Sequence, residues 1–127
     1  MSICRYLAVI ALAASTLIGF GEAEARREPV AVLPAIAAVD LPKEARITLA
    51  RIGDNGPFPY ERDGVRFGNR EALLPPRPRG YYHEYTVETP GSRSRGARRI
   101  VCGGKTATLA DCYYSDDHYQ SFKSIHP

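Results

Sequence analysis

The sequence predicts an α+β domain with one N-terminal helix packed on a small antiparallel β-sheet. Three observations carry that prediction. A partly helical apolar stripe (Ala45, Leu49, Ile52, with Thr48 between) is confined to one early segment. Beyond residue 56 the chain becomes short aromatic and β-branched runs divided by Gly and Pro turns. The length of 127 residues suits a single domain.

In order along the chain, Met1–Arg5 is a short positive start, Tyr6–Phe20 is almost continuously apolar, and Ala23-Glu24-Ala25 is a small-x-small site. That layout is a secretory signal peptide, cleaved after Ala25. The alternative, an uncleaved anchor, needs about 20 apolar residues to cross a bilayer, and this run is shorter. Residues 26–39 mix prolines and alanines without a period and are expected to be a loosely ordered lead-in. The domain proper is expected at 40–127. Asp40-Leu41-Pro42 begins the helix, with Pro42 in its first turn, and Asp54-Asn55-Gly56-Pro57 ends it after Gly53.

The strands follow. Asp63-Gly64 turns into Val65–Phe67, Pro75-Pro76-Arg77-Pro78 is a stiff connection, and Tyr81–Thr89 has the strongest strand composition. Pro90-Gly91 turns it, Arg98–Cys102 and Cys112–Tyr114 are further strands, and His118–Lys123 is expected to be the last.

The full chain has 17 basic and 14 acidic residues, a net charge of +3. Loss of residues 1–25 removes Arg5, Glu22 and Glu24 and leaves 16 and 12, a net +4. Only Lys43, Lys105 and Lys123 are lysines. The arginine forks of the remainder suit phosphates and guanine edges, which leans towards an anionic partner. Of three cysteines, Cys4 departs with the signal. Cys102 and Cys112 are expected to form a disulfide in an oxidising compartment, with two reduced thiols as the alternative. No further cysteine or histidine stands at metal-ligand spacing from either.

The stretch "GYYHEYTVETPGSRSRGARRIV" (80–101) sets His83 beside Glu84 and ends in Arg93, Arg95, Arg98 and Arg99. Strand alternation separates the two neighbours. Tyr82, Glu84, Thr86 and Glu88 share a polar face turned to water or a ligand. Tyr81, His83, Tyr85 and Val87 share a core-like face, so His83 is read as a packed or hydrogen-bonded structural histidine. The arginines suit either a solvated basic loop or an anion clamp beside a carboxylate. Asp116-Asp117-His118-Tyr119 offers a histidine beside a phenol, and a carboxylate and a histidine on different strands can serve as base and acid. Phe67-Gly68-Asn69-Arg70-Glu71 joins an aromatic that can stack a base to amides and a carboxylate that can read its edge. Guanine alone presents an acceptor at O6 beside donors at N1 and N2.

The segments "DNGPFPYERDGVRFGNRE", "GYYHEYTVETPGSRSRGARRI" and "DDHYQSF" occur in that order over most of residues 54–123. Together they resemble the secreted bacterial guanyl-specific ribonucleases, the family of barnase and its smaller relatives. The resemblance implies a microbial ribonuclease-like fold that cleaves single-stranded RNA after guanosine. It implies Glu84 as general base on the ribose 2′-OH and His118 as general acid on the leaving 5′ oxygen, with a 2′,3′-cyclic phosphate between the two steps. Arg95, Arg99 and Tyr119 match the phosphate site. Glu71 matches the carboxylate that reads guanine N1–H and N2–H, the backbone of Gly68, Asn69 and Arg70 frames O6, and Phe67 packs on the base. The extra lysine of barnase has no counterpart, and the stretch from Cys102 to Cys112 is longer than the hairpin of the smaller relatives.

The resemblance also implies no cofactor and no metal, secretion to the exterior or periplasm as a monomer without stable membrane association, and a barstar-like acidic inhibitor inside the producing cell. Two alternatives stand beside this reading: a non-catalytic RNA- or inhibitor-binding module on the same fold, and the same activity used as an antibacterial toxin.

Overall fold

The structure is a computed structural model and describes residues 32–127. The expected signal peptide and the first residues of the expected lead-in lie outside the described residues. The elements run β1 (Ala35–Ala37), α1 (Lys43–Gly53), β2 (Val65–Arg66), β3 (Tyr82–Thr86), β4 (Arg99–Gly103), β5 (Cys112–Ser115) and β6 (Lys123–His126). The six strands form one sheet in the order β1-β6-β5-β4-β3-β2.

The sheet departs from expectation along its β1–β6 edge. Part of the segment expected as a loose lead-in is the edge strand β1, with Ala35, Ile36 and Ala37 in register with Ser124, Ile125 and His126. A run of small residues shows no alternation because only Ile36 has much apolar surface to place, so the strand depends on its partner rather than its own pattern. This pair is parallel while the other four are antiparallel, so the sheet is mixed, and the helix is preceded by a strand. The last strand is also shorter than expected. It begins at Lys123 rather than His118, because His118 (φ 56°) and Tyr119 (φ 68°) are left-handed and cannot continue a ladder.

Helix α1 follows Pro42, whose fixed φ suits a helix start. Glu44 in its first turn and Arg51 in its last complement the helix dipole. It ends where Asn55 (φ 58°) and Gly56 (φ 97°) turn left-handed and the Gly56 amide reaches back to the Arg51 carbonyl at 2.8 Å. Ala45, Leu49 and Ile52 bury against Tyr85, Val87, Ile100 and Tyr114 on one face of the sheet. Thr48, also buried, donates to the Thr86 carbonyl at 3.1 Å, which removes an unpaired hydroxyl from that interface. Burial of a side chain such as Ile52 is worth about 1.5–3 kcal/mol.

Cys102 and Cys112 stand opposite one another in the β4–β5 register and are joined by a disulfide, with Cα atoms 4.1 Å apart. Their side chains belong to the same helix-facing core.

The opposite face is divided. Tyr82, Val101 and Tyr113 pack with Leu74 and Phe122 into a second apolar cluster. Beyond them the same face carries Glu84, Thr86, Arg99 and Ser115, all buried. Register places them side by side: Glu84 opposite Val101, Thr86 opposite Arg99, Arg99 opposite Ser115. The candidate site is built on this polar half.

Candidate active site

Glu84 occupies the middle of β3, whose edge is secured by the Asp63-Gly64 turn. The Gly64 amide donates to the Glu84 carbonyl at 2.8 Å, and the Asp63 carboxylate accepts the Thr86 amide at 2.7 Å. The strand's position is therefore set on the β2 side by a turn visible in the sequence. The Glu84 side chain was expected to face water or a ligand. It is 6% exposed, and its carboxylate meets a set of donors rather than bulk water. Tyr119 donates its hydroxyl to Oε2 at 2.6 Å, while Arg95 Nη2 and Arg62 Nε stand 3.4 Å and 3.8 Å from Oε1. A buried carboxylate without such partners would be costly.

The two expected phosphate arginines reach the site differently. Arg95 is aimed by Thr86, whose hydroxyl accepts from Nε at 2.9 Å. Arg99 is buried on β4, and its Nη1 donates to the carbonyls of Gly96 (2.9 Å) and Arg98 (2.7 Å). Its Nε donates to the Tyr119 hydroxyl at 3.1 Å. Gly96 adopts φ 68°, and a Cβ there would overlap the Thr89 side chain, so the turn that presents its carbonyl to Arg99 requires glycine. The remaining two arginines stand apart. Arg98 is 3.8 Å from Glu44 of the helix, and Arg93 is exposed on the loop.

His118 and Tyr119 are carried on the loop between β5 and β6. Ser115 Oγ accepts the Tyr119 amide at 3.0 Å and donates to Asp117 Oδ1 at 2.9 Å, while the same Asp117 oxygen accepts the Ser121 amide at 2.9 Å. The Ser121 hydroxyl closes on the other Asp117 oxygen. The hydrogen bond from Ser121 is the main reason the Asp117 carboxyl is held below its usual range. This small network sustains the two left-handed residues. It leaves the His118 imidazole exposed, 5.0 Å from the Tyr119 ring, with the His118 amide tied to the Ala97 carbonyl at 2.9 Å. Burial, followed by its bond to Glu84, pushes the Tyr119 phenol up to about 12, so at neutral pH it remains a donor.

A pocket of about 220 Å³ opens beside this group, lined by Phe67, Gly68, Asn69, Arg70 and Glu71 on one wall and by Glu84, Tyr119 and Phe122 on the other. Phe67 stacks on Tyr119 at 5.2 Å and meets Phe122 edge-on at 5.8 Å. The Asn69 side chain clamps Leu74 twice, donating to its carbonyl at 3.0 Å and accepting its amide at 3.1 Å. With Asn69 left-handed at φ 47°, the clamp orients the peptides of residues 68–71, and Glu71 stays exposed on the wall. The six residues Phe67 to Glu71 and Tyr119, and the four Glu84, Arg95, Arg99 and His118, thus meet in one cleft.

His83 lies outside the cleft. It pairs across the sheet with Cys102 and Arg66, is partly buried, and its Nδ1 is buried with no hydrogen-bond partner. Of the residues expected on its face, Tyr85 and Val87 belong to the helix-side core, whereas Tyr81 packs with the opposite cluster, because it lies just before the strand and is not bound by its alternation. Four contributors escaped the sequence reading: Arg62, Phe122, Thr86 as the guide for Arg95, and Asp117 as the organiser of the histidine loop. Thr86 could have been found, since strand parity already set it beside Glu84. Nothing local marks Asp117, because its role depends on where the loop folds.

A family model described as ribonuclease matches residues 26–126. The chain belongs to the ribonuclease family. The chain is 58% identical over 85 residues to guanyl-specific ribonuclease Sa of Kitasatospora aureofaciens, covering 67% of this chain and 85% of that one. It is 48% identical over 88 residues to guanyl-specific ribonuclease St of Saccharopolyspora erythraea, covering 69% and 83%. A crystal structure of ribonuclease Sa2 with guanosine-2′-cyclophosphate is similar at a TM-score of 0.69 and 50% identity, covering 76% of this chain and 98% of that one. In this ribonuclease family member the helix on one sheet face and the cleft on the other make the microbial ribonuclease fold.

Proposed function

We propose that this protein is a secreted endoribonuclease that cleaves single-stranded RNA after guanosine, without a metal, through a 2′,3′-cyclic phosphate. The observation that carries the reading is the convergence of Glu84, Tyr119, Arg95 and Arg99 at the mouth of the Phe67–Glu71 pocket. Similarity to two guanyl-specific ribonucleases, at 58% and 48% identity, supports the same base preference.

Guanine enters the pocket with its face on Phe67. The Glu71 carboxylate accepts from N1–H and N2–H, and backbone amides of residues 68–70 donate to O6. Recognition through that edge requires an unpaired base. Glu84 then takes the proton of the ribose 2′-OH, whose oxygen attacks phosphorus. The P–O5′ bond breaks, and His118 delivers a proton to the departing oxygen. In the second step water attacks the cyclic phosphate, His118 accepts the water proton, Glu84 returns one to O2′, and a 3′-phosphate is left. Arg95, Arg99 and the Tyr119 hydroxyl hold the phosphate oxygens and stabilise the charge that grows on them. The 2′-OH is the nucleophile, so DNA is not cleaved by this route.

Residues 1–25 act in this reading as a cleaved export signal, and the mature chain works as a monomer. A barstar-like acidic inhibitor would fit the arginine-rich cleft inside the producing cell. Digestion of a defined single-stranded RNA, with both ends of each product mapped, tests the function. Cuts after guanosine with cyclic-phosphate ends are expected, unchanged in EDTA. Cuts without base preference, or loss of activity in chelator, would require another chemistry. Glu71→Ala should erode guanine preference more than it slows turnover, and an unchanged product pattern would remove Glu71 from recognition.

A further inference from the structure

Behind the Phe67–Arg70 wall lies a second, polar pocket of about 270 Å³, which shares that wall with the first. Arg66, Arg70, Arg77 and Arg79 converge on it, and Tyr81 lines it beside them. The Arg77 guanidinium stands 5.1 Å from the centre of the Tyr81 ring, and the Arg66 guanidinium lies against Gly80. The residues between Pro75 and Pro78 are stiffened by three prolines, and the Tyr82 hydroxyl fastens the start of this loop by donating to the Pro75 carbonyl at 2.6 Å. The nearby acid is already engaged: Asp111 accepts from the hydroxyls of Tyr81 (2.8 Å) and Tyr113 (2.6 Å). Among the described residues, the ion pairs involve Arg62, Arg95 and Arg98 and none of the four arginines here.

Like charges collected in one concavity repel, and an anion whose oxygens accept from more than one guanidinium fork relieves that repulsion. A rigid loop presents its arginines with little ordering cost on binding. We infer that this pocket is a second phosphate subsite, which holds a backbone phosphate of the same RNA strand outside the dinucleotide being cleaved. The inference rests on the ribonuclease reading, since it takes the first pocket as the guanosine site. Because Phe67 to Arg70 separates the two pockets, a strand lying across that wall engages both.

The test compares a GpA dinucleotide with the same dinucleotide extended by oligouridine on either its 5′ or its 3′ side. In the double variant Arg77→Gln/Arg79→Gln, kcat/KM on GpA should stay at the wild-type value while kcat/KM on at least one extended substrate falls about tenfold. The arm that falls assigns the side of the strand. Kd for a non-cleavable analogue, with 2′-deoxyguanosine at the cut, should follow the same pattern. Its salt dependence should become shallower by about 0.7 in log Kd against log salt, the value for one single-strand phosphate left without its arginines. Arg77→Lys/Arg79→Lys should restore the slope.

Equal Kd for wild type and double variant on both extended analogues would overturn the subsite. So would an equal loss on GpA and the extended RNAs. Unchanged RNA binding with weakened capture of an acidic protein inhibitor would assign the patch to a protein partner and overturn it too. Failure of the wild type to cut any of these RNAs would instead sink the ribonuclease reading, while the Kd measurements still judge the subsite.

Discussion

The two faces of the central sheet use the same strands for opposite ends. On the helix side, Tyr85, Val87, Ile100 and Tyr114 meet Ala45, Leu49 and Ile52 in a continuous apolar core. On the other side the alternate residues of the same strands begin as an apolar cluster and end as a buried carboxylate, an arginine, a threonine and a serine. A methyl group buried on the first face adds stability. A charge buried on the second needs partners simply to break even. Glu84 and Arg99 are tolerated because Tyr119 bonds both, Arg95 faces the carboxylate, and backbone carbonyls hold the guanidinium. In a domain this small, the helix side offsets what the polar side costs.

Substitutions on each face should separate cleanly. The largest effect expected is on the polar face: Glu84→Gln or His118→Ala should lower kcat/KM by roughly 10² to 10⁴, the usual worth of a positioned base or acid. Midpoints of urea unfolding, measured alongside, should move little for His118→Ala because that side chain is exposed. Retention of full activity by both variants would break the assignment of roles.

Ile52→Ala should do the reverse. A cavity in the helix-side core costs about 2–5 kcal/mol of stability, while kcat/KM per folded molecule stays at its original value. A large fall in that specific activity would mean that the two faces are not independent. Replacing both Cys102 and Cys112 by Ser should cost about 3 kcal/mol, the loop-entropy value for so short a bridge, again seen in urea rather than in turnover. Should turnover fall as well, the bridge would be acting on the histidine loop through β5.

The smallest effects are those of titration. The Asp117 carboxyl is lowered on folding, so its contribution to stability is present above the usual value of 3.8 and is lost as the pH falls through the lower folded value. Asp117→Asn should therefore flatten the acid limb of the stability profile slightly, and an unchanged limb would remove Asp117 from loop support. Tyr119 is raised instead, so its contribution is full below the ordinary value of 10.0 and fades as the pH rises through about 12. Comparing phenolate absorbance of the wild type with Tyr119→Phe should show one late-titrating tyrosine missing from the variant.

His83 and Glu84 show how far the sequence reaches. Alternation along Tyr82–Thr86 was enough to place Glu84 and His83 on different faces, because a strand offers only two directions. The helix was equally legible: its apolar stripe and its Pro and Asn-Gly ends are local signals. The order of the motifs was enough to bring Glu84, Arg95, Arg99, His118 and Tyr119 into one site through family resemblance. Composition did not reveal the burial of Glu84, since a carboxylate reads as a surface residue until Tyr119 and Arg95 arrive from distant segments. It also did not reveal β1, which is a strand only because β6 lies beside it, or the turned-out loop at His118, which Asp117 holds against the strand propensity of its neighbours. Which residues face together within each element follows from the chain's own pattern, because periodicity is a property of the local backbone. Which elements share a cleft, and which charges find partners, follows from folding in three dimensions, because both depend on meetings between segments far apart in the chain.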